Sequence, residues 1–193
     1  MIIKDWKKDV FTIPNMLSVV RLLLIPVYVV IYLNATKAAD YYLAAGILAV
    51  SCLTDLIDGK IARHFNMQSY IGMLLDPVAD KATQFTLIVC LAVSYPIVWN
   101  LVALFVVKEG FQLIVGMITY FKDGKILNGA LLPGKICTTI LFLSLIILVM
   151  IPSPSKALVT VFTIVDAVFL IIAFITYILA YFGKNKKIHD IEE

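Results

Sequence analysis

Four aspartates, Asp55, Asp58, Asp76 and Asp80, fall within 26 consecutive positions of a chain that is otherwise poor in charge. Asp55 and Asp58 are three apart and Asp76 and Asp80 four apart, so on helices each pair occupies one face. Two such helices lying antiparallel bring the pairs together. Four carboxylates at close range repel one another unless cations sit among them. Oxygen donors of this kind suit hard divalent cations, Mg²⁺ first and Mn²⁺ second. His64 and His189 have no spacing that points to zinc. Gly59 and Gly72 lie beside the acids, where a missing Cβ lets a ligand approach the backbone. Ala62 keeps the same face small, and Arg63 offers a planar cation suited to phosphate oxygens. Acids, a divalent cation, small residues and one arginine together describe a pyrophosphate site. Salt bridges to Lys60, Arg63 and Lys81 would explain one acid pair, but not four acids with two glycines in register.

The elements that must position these residues are membrane helices. The 193 residues are 62% hydrophobic and 15% charged, with a mean hydropathy of +0.98. A soluble domain is only about half apolar, so the excess faces lipid. The uncharged runs predict an all-α integral membrane protein with six spans, near 14–33, 41–64, 70–94, 97–120, 133–152 and 157–182. A bilayer core about 30 Å thick needs ~20 helical residues to cross it. The short connection at 65–69 makes the second and third spans antiparallel neighbours, which is what the acid pairs require. The whole chain reads as one domain: an interfacial amphipathic helix over 1–12, carrying Ile2, Ile3, Trp6 and Val10 among lysines, a six-helix bundle over 13–183, and a tail over 184–193. Basic residues such as Lys4, Lys7, Lys8, Lys60, Arg63, Lys122, Lys125 and Lys184 fall on the N-terminal face, against Lys37 and Lys156 on the other. The positive-inside rule then places both termini in the cytoplasm of a cell whose cytoplasmic membrane holds the chain. A net charge of +3 calls for no nucleic acid, because the basic residues gather where anionic lipid headgroups meet them. Cys52, Cys90 and Cys137 are far apart inside apolar runs and read as buried thiols. Tyr28, Tyr32, Tyr41, Tyr42, Tyr95 and Trp99 cluster at the outer interface, where aromatic belts are expected.

The series Asp55-x2-Asp58-Gly59-x2-Ala62-Arg63-x8-Gly72-x3-Asp76-x3-Asp80 matches, without a departure, the signature of the CDP-alcohol phosphotransferases. Ile13-Pro14-Asn15-Met16-Leu17-Ser18-Val19-Val20-Arg21 resembles the first-helix entry of bacterial phosphatidylglycerophosphate synthases, and Leu75-Asp76-Pro77-Val78-Ala79-Asp80-Lys81 resembles their third helix. The resemblance implies a six-helix homodimer with a polar cavity open to the cytoplasm. It implies that Asp55, Asp58, Asp76 and Asp80 hold metal, as two ions of Mg²⁺ or Mn²⁺. Asn15, Asp55, Gly59, Ala62, Arg63 and Gly72 then lie against the CDP moiety of CDP-diacylglycerol, and Asp80 is the base that deprotonates the acceptor hydroxyl.

Arg21, Lys108 and Lys135 are further basic residues inside spans and read as acceptor-binding, Arg21 with snorkelling to the interface or neutralising the acids as its alternatives. Lys108 and Lys135 are expected near the cytoplasmic ends that flank 121–132; simple pairing of Lys108 with Glu109 or Asp166 is the plainer reading. The entry and third-helix motifs favour glycerol 3-phosphate as acceptor. Phosphatidylglycerol, the acceptor of a cardiolipin synthase, is the alternative, because Lys108, before Glu109, and Gly116 stand where the synthase pattern has arginines. An intramembrane cation transporter would explain the acids but not Gly59, Ala62, Arg63 and Gly72. The topology makes a direct prediction: Gly124→Cys reacts with an impermeant thiol reagent only from the cytoplasmic side, and Thr36→Cys only from outside. Labelling of position 124 from outside overturns the six-span arrangement.

Overall fold

The computed structural model describes residues 12–64, 70–123 and 132–192, with the side chains of several helix-end stretches, 55–64 and 182–192 among them, outside the description. The expected interfacial helix lies outside the described residues. Among the described residues six α-helices follow one another: α1 Ile13–Leu33, α2 Ala38–His64, α3 Tyr70–Ser94, α4 Trp99–Asp123, α5 Leu132–Met150 and α6 Lys156–Glu192, with a 3₁₀ turn at Pro96–Val98 before α4. The described residues contain no strand. Pro96 starts the 3₁₀ turn and delays α4 by two residues relative to the hydropathy pattern. α6 runs on through the expected tail, where no proline interrupts it.

Local chemistry sets the helix ends. Thr12, in extended conformation, caps α1 by accepting from the Asn15 amide, and Pro14 occupies the first turn, where its missing N–H is harmless. Asn34 ends α1 by donating its side-chain amide to the Val30 carbonyl at 2.7 Å. Asp40 then accepts from the Thr36 and Lys37 amides at 2.9 Å each, and so ties the connection to the start of α2. Between α5 and α6, Ser153 takes a φ of 54° between Pro152 and Pro154, neither of which can extend a helix.

Among the described residues three stretches are long and apolar enough to cross a membrane, Asn15–Leu33, Pro96–Thr119 and Lys156–Tyr181, and Ala38–Thr54 and Gly134–Met150 are shorter apolar helices. α3 falls outside both groups because Asp76, Asp80, Lys81, Thr83 and Gln84 dilute its apolar sequence. The helices separate into two units, Met1–Leu91 with Ile146–Ser153, and Ala92–Leu145 with Pro154–Glu193. In the first, Tyr28 stacks on Tyr32 with ring centroids 5.5 Å apart, and Tyr32 meets the edge of Tyr41 on α2 at 5.9 Å. Tyr28 and Tyr32 are buried, so these two clamp α1 to α2 instead of joining a lipid-facing belt; Tyr42 and Trp99 are exposed as a belt requires. In the second unit Phe111 on α4 meets Phe174 on α6 edge-on at 5.2 Å, and the Tyr95 hydroxyl donates to the Pro154 carbonyl at 2.7 Å.

Candidate active site

The first unit contains the acids. Asp76 and Asp80 lie one helical turn apart on α3, both partly exposed. α1 meets them with two polar side chains spaced three residues apart. The Ser18 hydroxyl donates to Asp76 Oδ1 at 2.5 Å, and Arg21 Nη1 lies 2.6 Å from Asp80 Oδ1. Ser18 and Arg21 are themselves buried, although α1 is one of the most apolar segments of the chain. A charge-assisted contact of this length, from a donor held out of water, is among the stronger hydrogen bonds a protein makes.

In this geometry Arg21 pairs with Asp80. Ser18, quoted in the entry motif without a role, is the residue that sequence reasoning missed. Asn15, one turn before Ser18, is buried at the start of α1, and Gly72 is buried one turn before Asp76. Asp55, Asp58, Gly59, Ala62 and Arg63 all lie in α2, but their side chains are outside the described residues. Among the described residues no three His, Cys, Asp or Glu side chains gather as a metal cage. What Asp76 and Asp80 offer is two hard carboxylates on one partly exposed face, oxygen donors of the kind a divalent cation takes.

The second unit contains the other expected residues. Lys108 is buried in the first half of α4, not near its end: fifteen residues, or about 22 Å of helix, separate it from Asp123. Its Nζ lies 2.6 Å from Glu109 Oε1 and 5.8 Å from the centre of the Tyr177 ring on α6. Tyr177 also fills the space above Gly134, where an added Cβ would stand 2.6 Å from the Tyr177 hydroxyl oxygen. Gly134 is therefore a point of close helix contact, and Tyr177, which no sequence pattern marks, connects α4, α5 and α6. Lys135 is exposed on the first turn of α5. Asp166 is buried in the first third of α6 with neither carboxylate oxygen hydrogen-bonded among the described residues, and Lys108 takes Glu109 instead.

Residues 11–181 match the family model described as CDP-alcohol phosphatidyltransferase. A cardiolipin synthase (CMP-forming) / mitochondrial hydrolase fusion protein of Schizosaccharomyces pombe is 37% identical over 118 residues, covering 60% of this chain and 18% of that protein. A putative cardiolipin synthase of Mycobacterium tuberculosis is 43% identical over 90 residues, 47% of this chain and 42% of its own. A CDP-diacylglycerol--glycerol-3-phosphate 3-phosphatidyltransferase of Pseudomonas fluorescens is 33% identical over 87 residues, 45% and 44% respectively. The chain thus spans less than half the length of each of these relatives.

The Gly134 contact gives a sign that can be measured. Gly134→Ala gains up to ~1 kcal/mol of helix propensity, but forcing Tyr177 aside costs about 1–3 kcal/mol, so the melting temperature of the purified protein falls. Tyr177→Phe in the same background recovers part of the loss; a variant as stable as the parent contradicts the contact.

Proposed function

The chain belongs to the CDP-alcohol phosphatidyltransferase family, and on that premise we propose that it transfers a phosphatidyl group from CDP-diacylglycerol to an alcohol, with release of CMP. The observation that carries this reading is the acid pair of α3, with Asp76 held by Ser18 and Asp80 by Arg21, in register with the full Asp55-to-Asp80 signature. Asp55, Asp58, Asp76 and Asp80 would hold Mg²⁺ or Mn²⁺, which neutralises pyrophosphate charge when bound. Gly59, Ala62, Arg63 and Gly72, with Asn15, would lie along the CDP moiety. Asp80 takes the proton of the acceptor hydroxyl, whose oxygen attacks the phosphorus that bears diacylglycerol. The bond from that phosphorus to the bridging oxygen breaks, and CMP departs with the electron pair. A carboxylate is a weak base, so positioning of the acceptor supplies much of the acceleration.

For the acceptor, we favour phosphatidylglycerol, with cardiolipin as product. Glycerol 3-phosphate carries close to two negative charges and needs excess positive charge around it. Lys108 is compensated by Glu109 at 2.6 Å, and Lys135 is exposed. A phosphodiester has one charge and its acyl chains already anchor it in the bilayer, so it demands less. The relatives named as cardiolipin synthases support this order. Glycerol 3-phosphate, favoured by the motifs of the first and third helices, is the second reading, supported by the Pseudomonas relative. The expected setting is a single six-span domain in the cytoplasmic membrane, with termini and site cytoplasmic, working as a homodimer.

Purified protein supplied with Mg²⁺ and CDP-diacylglycerol, and in turn with phosphatidylglycerol, glycerol 3-phosphate, serine or inositol phosphate, yields cardiolipin from the first alone, identified by mass. Phosphatidylglycerophosphate as the main product reverses the order of acceptors. Asp80→Asn retains CDP-diacylglycerol binding but lowers turnover by at least ~10²-fold, the low end for loss of a general base. Near-normal turnover of that variant at saturating metal removes Asp80 from its role.

A further inference from the structure

Arg21 is only 2% exposed, yet the carboxylate it grips, that of Asp80, is 44% exposed. One turn earlier the buried Ser18 hydroxyl holds Asp76. α1 thus applies a guanidinium and a hydroxyl, both anchored out of water, to the two acids that the proposed reading also assigns to a divalent cation. The two helpers differ in kind. Ser18 is neutral and supplies only a hydrogen bond, whereas Arg21 brings a permanent positive charge to within 2.6 Å of a carboxylate oxygen. A fixed cation there offsets repulsion among the acids and, for the same reason, repels any second cation that approaches them.

We infer that Arg21 is the resident counter-cation of the acid pair, holding Asp80 in the metal-free protein and competing with the divalent cation for it. This rests on the metal reading proposed above. Its consequence has opposite signs in the two states. Without metal, Arg21 stabilises the site, and its loss leaves carboxylates facing each other. With metal, Arg21 opposes binding, and its loss makes the site a better cation trap. A residue that only pinned α1 to α3 would, when removed, weaken both.

The test is Mn²⁺ binding to the full chain in lipid nanodiscs, read from the electron paramagnetic resonance of free Mn²⁺, alongside thermal unfolding with and without the ion. Arg21→Gln lowers the metal-free melting temperature and binds Mn²⁺ about tenfold more tightly, the direction set by removal of a like charge. Arg21→Lys, which keeps the charge, stays within about threefold of the parent affinity. Ser18→Ala lowers the metal-free melting temperature without tightening Mn²⁺ binding. Equal or weaker binding by folded Arg21→Gln overturns the inference and leaves the metal reading standing. Absence of saturable Mn²⁺ binding by the parent protein overturns the metal reading and the inference with it. Should Arg21→Gln fail to fold, the parent protein carries the test, because the chain has only two arginines, Arg21 and Arg63. In its arginine-labelled spectrum the Arg21 guanidinium resonances shift with Mg²⁺ along the same midpoint as metal binding; resonances that do not move overturn the competition.

Discussion

A carboxylate packed against an apolar helix must be compensated, and at the meeting of α1 with α3 the Arg21–Asp80 ion pair and its neighbour Ser18–Asp76 do so. Leaving one member of a buried pair without its partner costs about 3–5 kcal/mol, less here because Asp80 is partly exposed. That constraint reaches outward into the fold. It fixes the rotation of α1 about its axis, since Ser18 and Arg21 must both face α3. The exposed Val19, Val20, Leu23, Val27 and Val30 are then left on the opposite side of α1, where lipid can cover them. Transmembrane helices gain little from apolar burial against one another, because lipid is equally apolar. Specific polar contacts of this kind therefore carry more of the arrangement than they would in a soluble core.

The second unit solves a milder version of the same problem. Lys108 is buried but has its counter-charge as its sequence neighbour, and the Tyr177 ring beside it adds a favourable face for the ammonium. Asp166, buried on α6, has no hydrogen-bond partner for its carboxylate among the described residues. The residue on which Tyr177 rests, Gly134, shows what makes the meeting of three helices possible: a position with no side chain, occupied by the hydroxyl end of an aromatic ring from another helix.

Much of this was legible in the sequence, and the exceptions share a cause. Helix ends follow from Thr12, Pro14, Asn34 and Pro96, which act locally, so the boundaries of α1 to α5 lie within three residues of those read from hydropathy and turn residues. The acid pairs were visible because their spacing is a helical period. Which of the acids Arg21 meets was not, because sequence does not state the register of α1 against α3. The signal was present all the same: Ser18 and Arg21 are three apart in an apolar helix, a polar stripe as narrow as the Asp76–Asp80 pair. Tyr28 and Tyr32 read as interface residues because hydropathy cannot distinguish a helix face turned to lipid from one turned to another helix. The crossing of all six helices is an expectation that the three long apolar stretches and two shorter ones leave as a proposal.

The most direct measurement is the dependence of CMP release on divalent metal. Protein purified free of metal, given CDP-diacylglycerol and a glycerol-type acceptor, releases no CMP until Mg²⁺ or Mn²⁺ is added. Release then saturates with the cation, and Asp76→Asn shifts that saturation to higher concentration. CMP release at full rate in the presence of a chelator, or a saturation curve that Asp76→Asn leaves unmoved, contradicts a metal-dependent phosphatidyl transfer at the acid pair of α3.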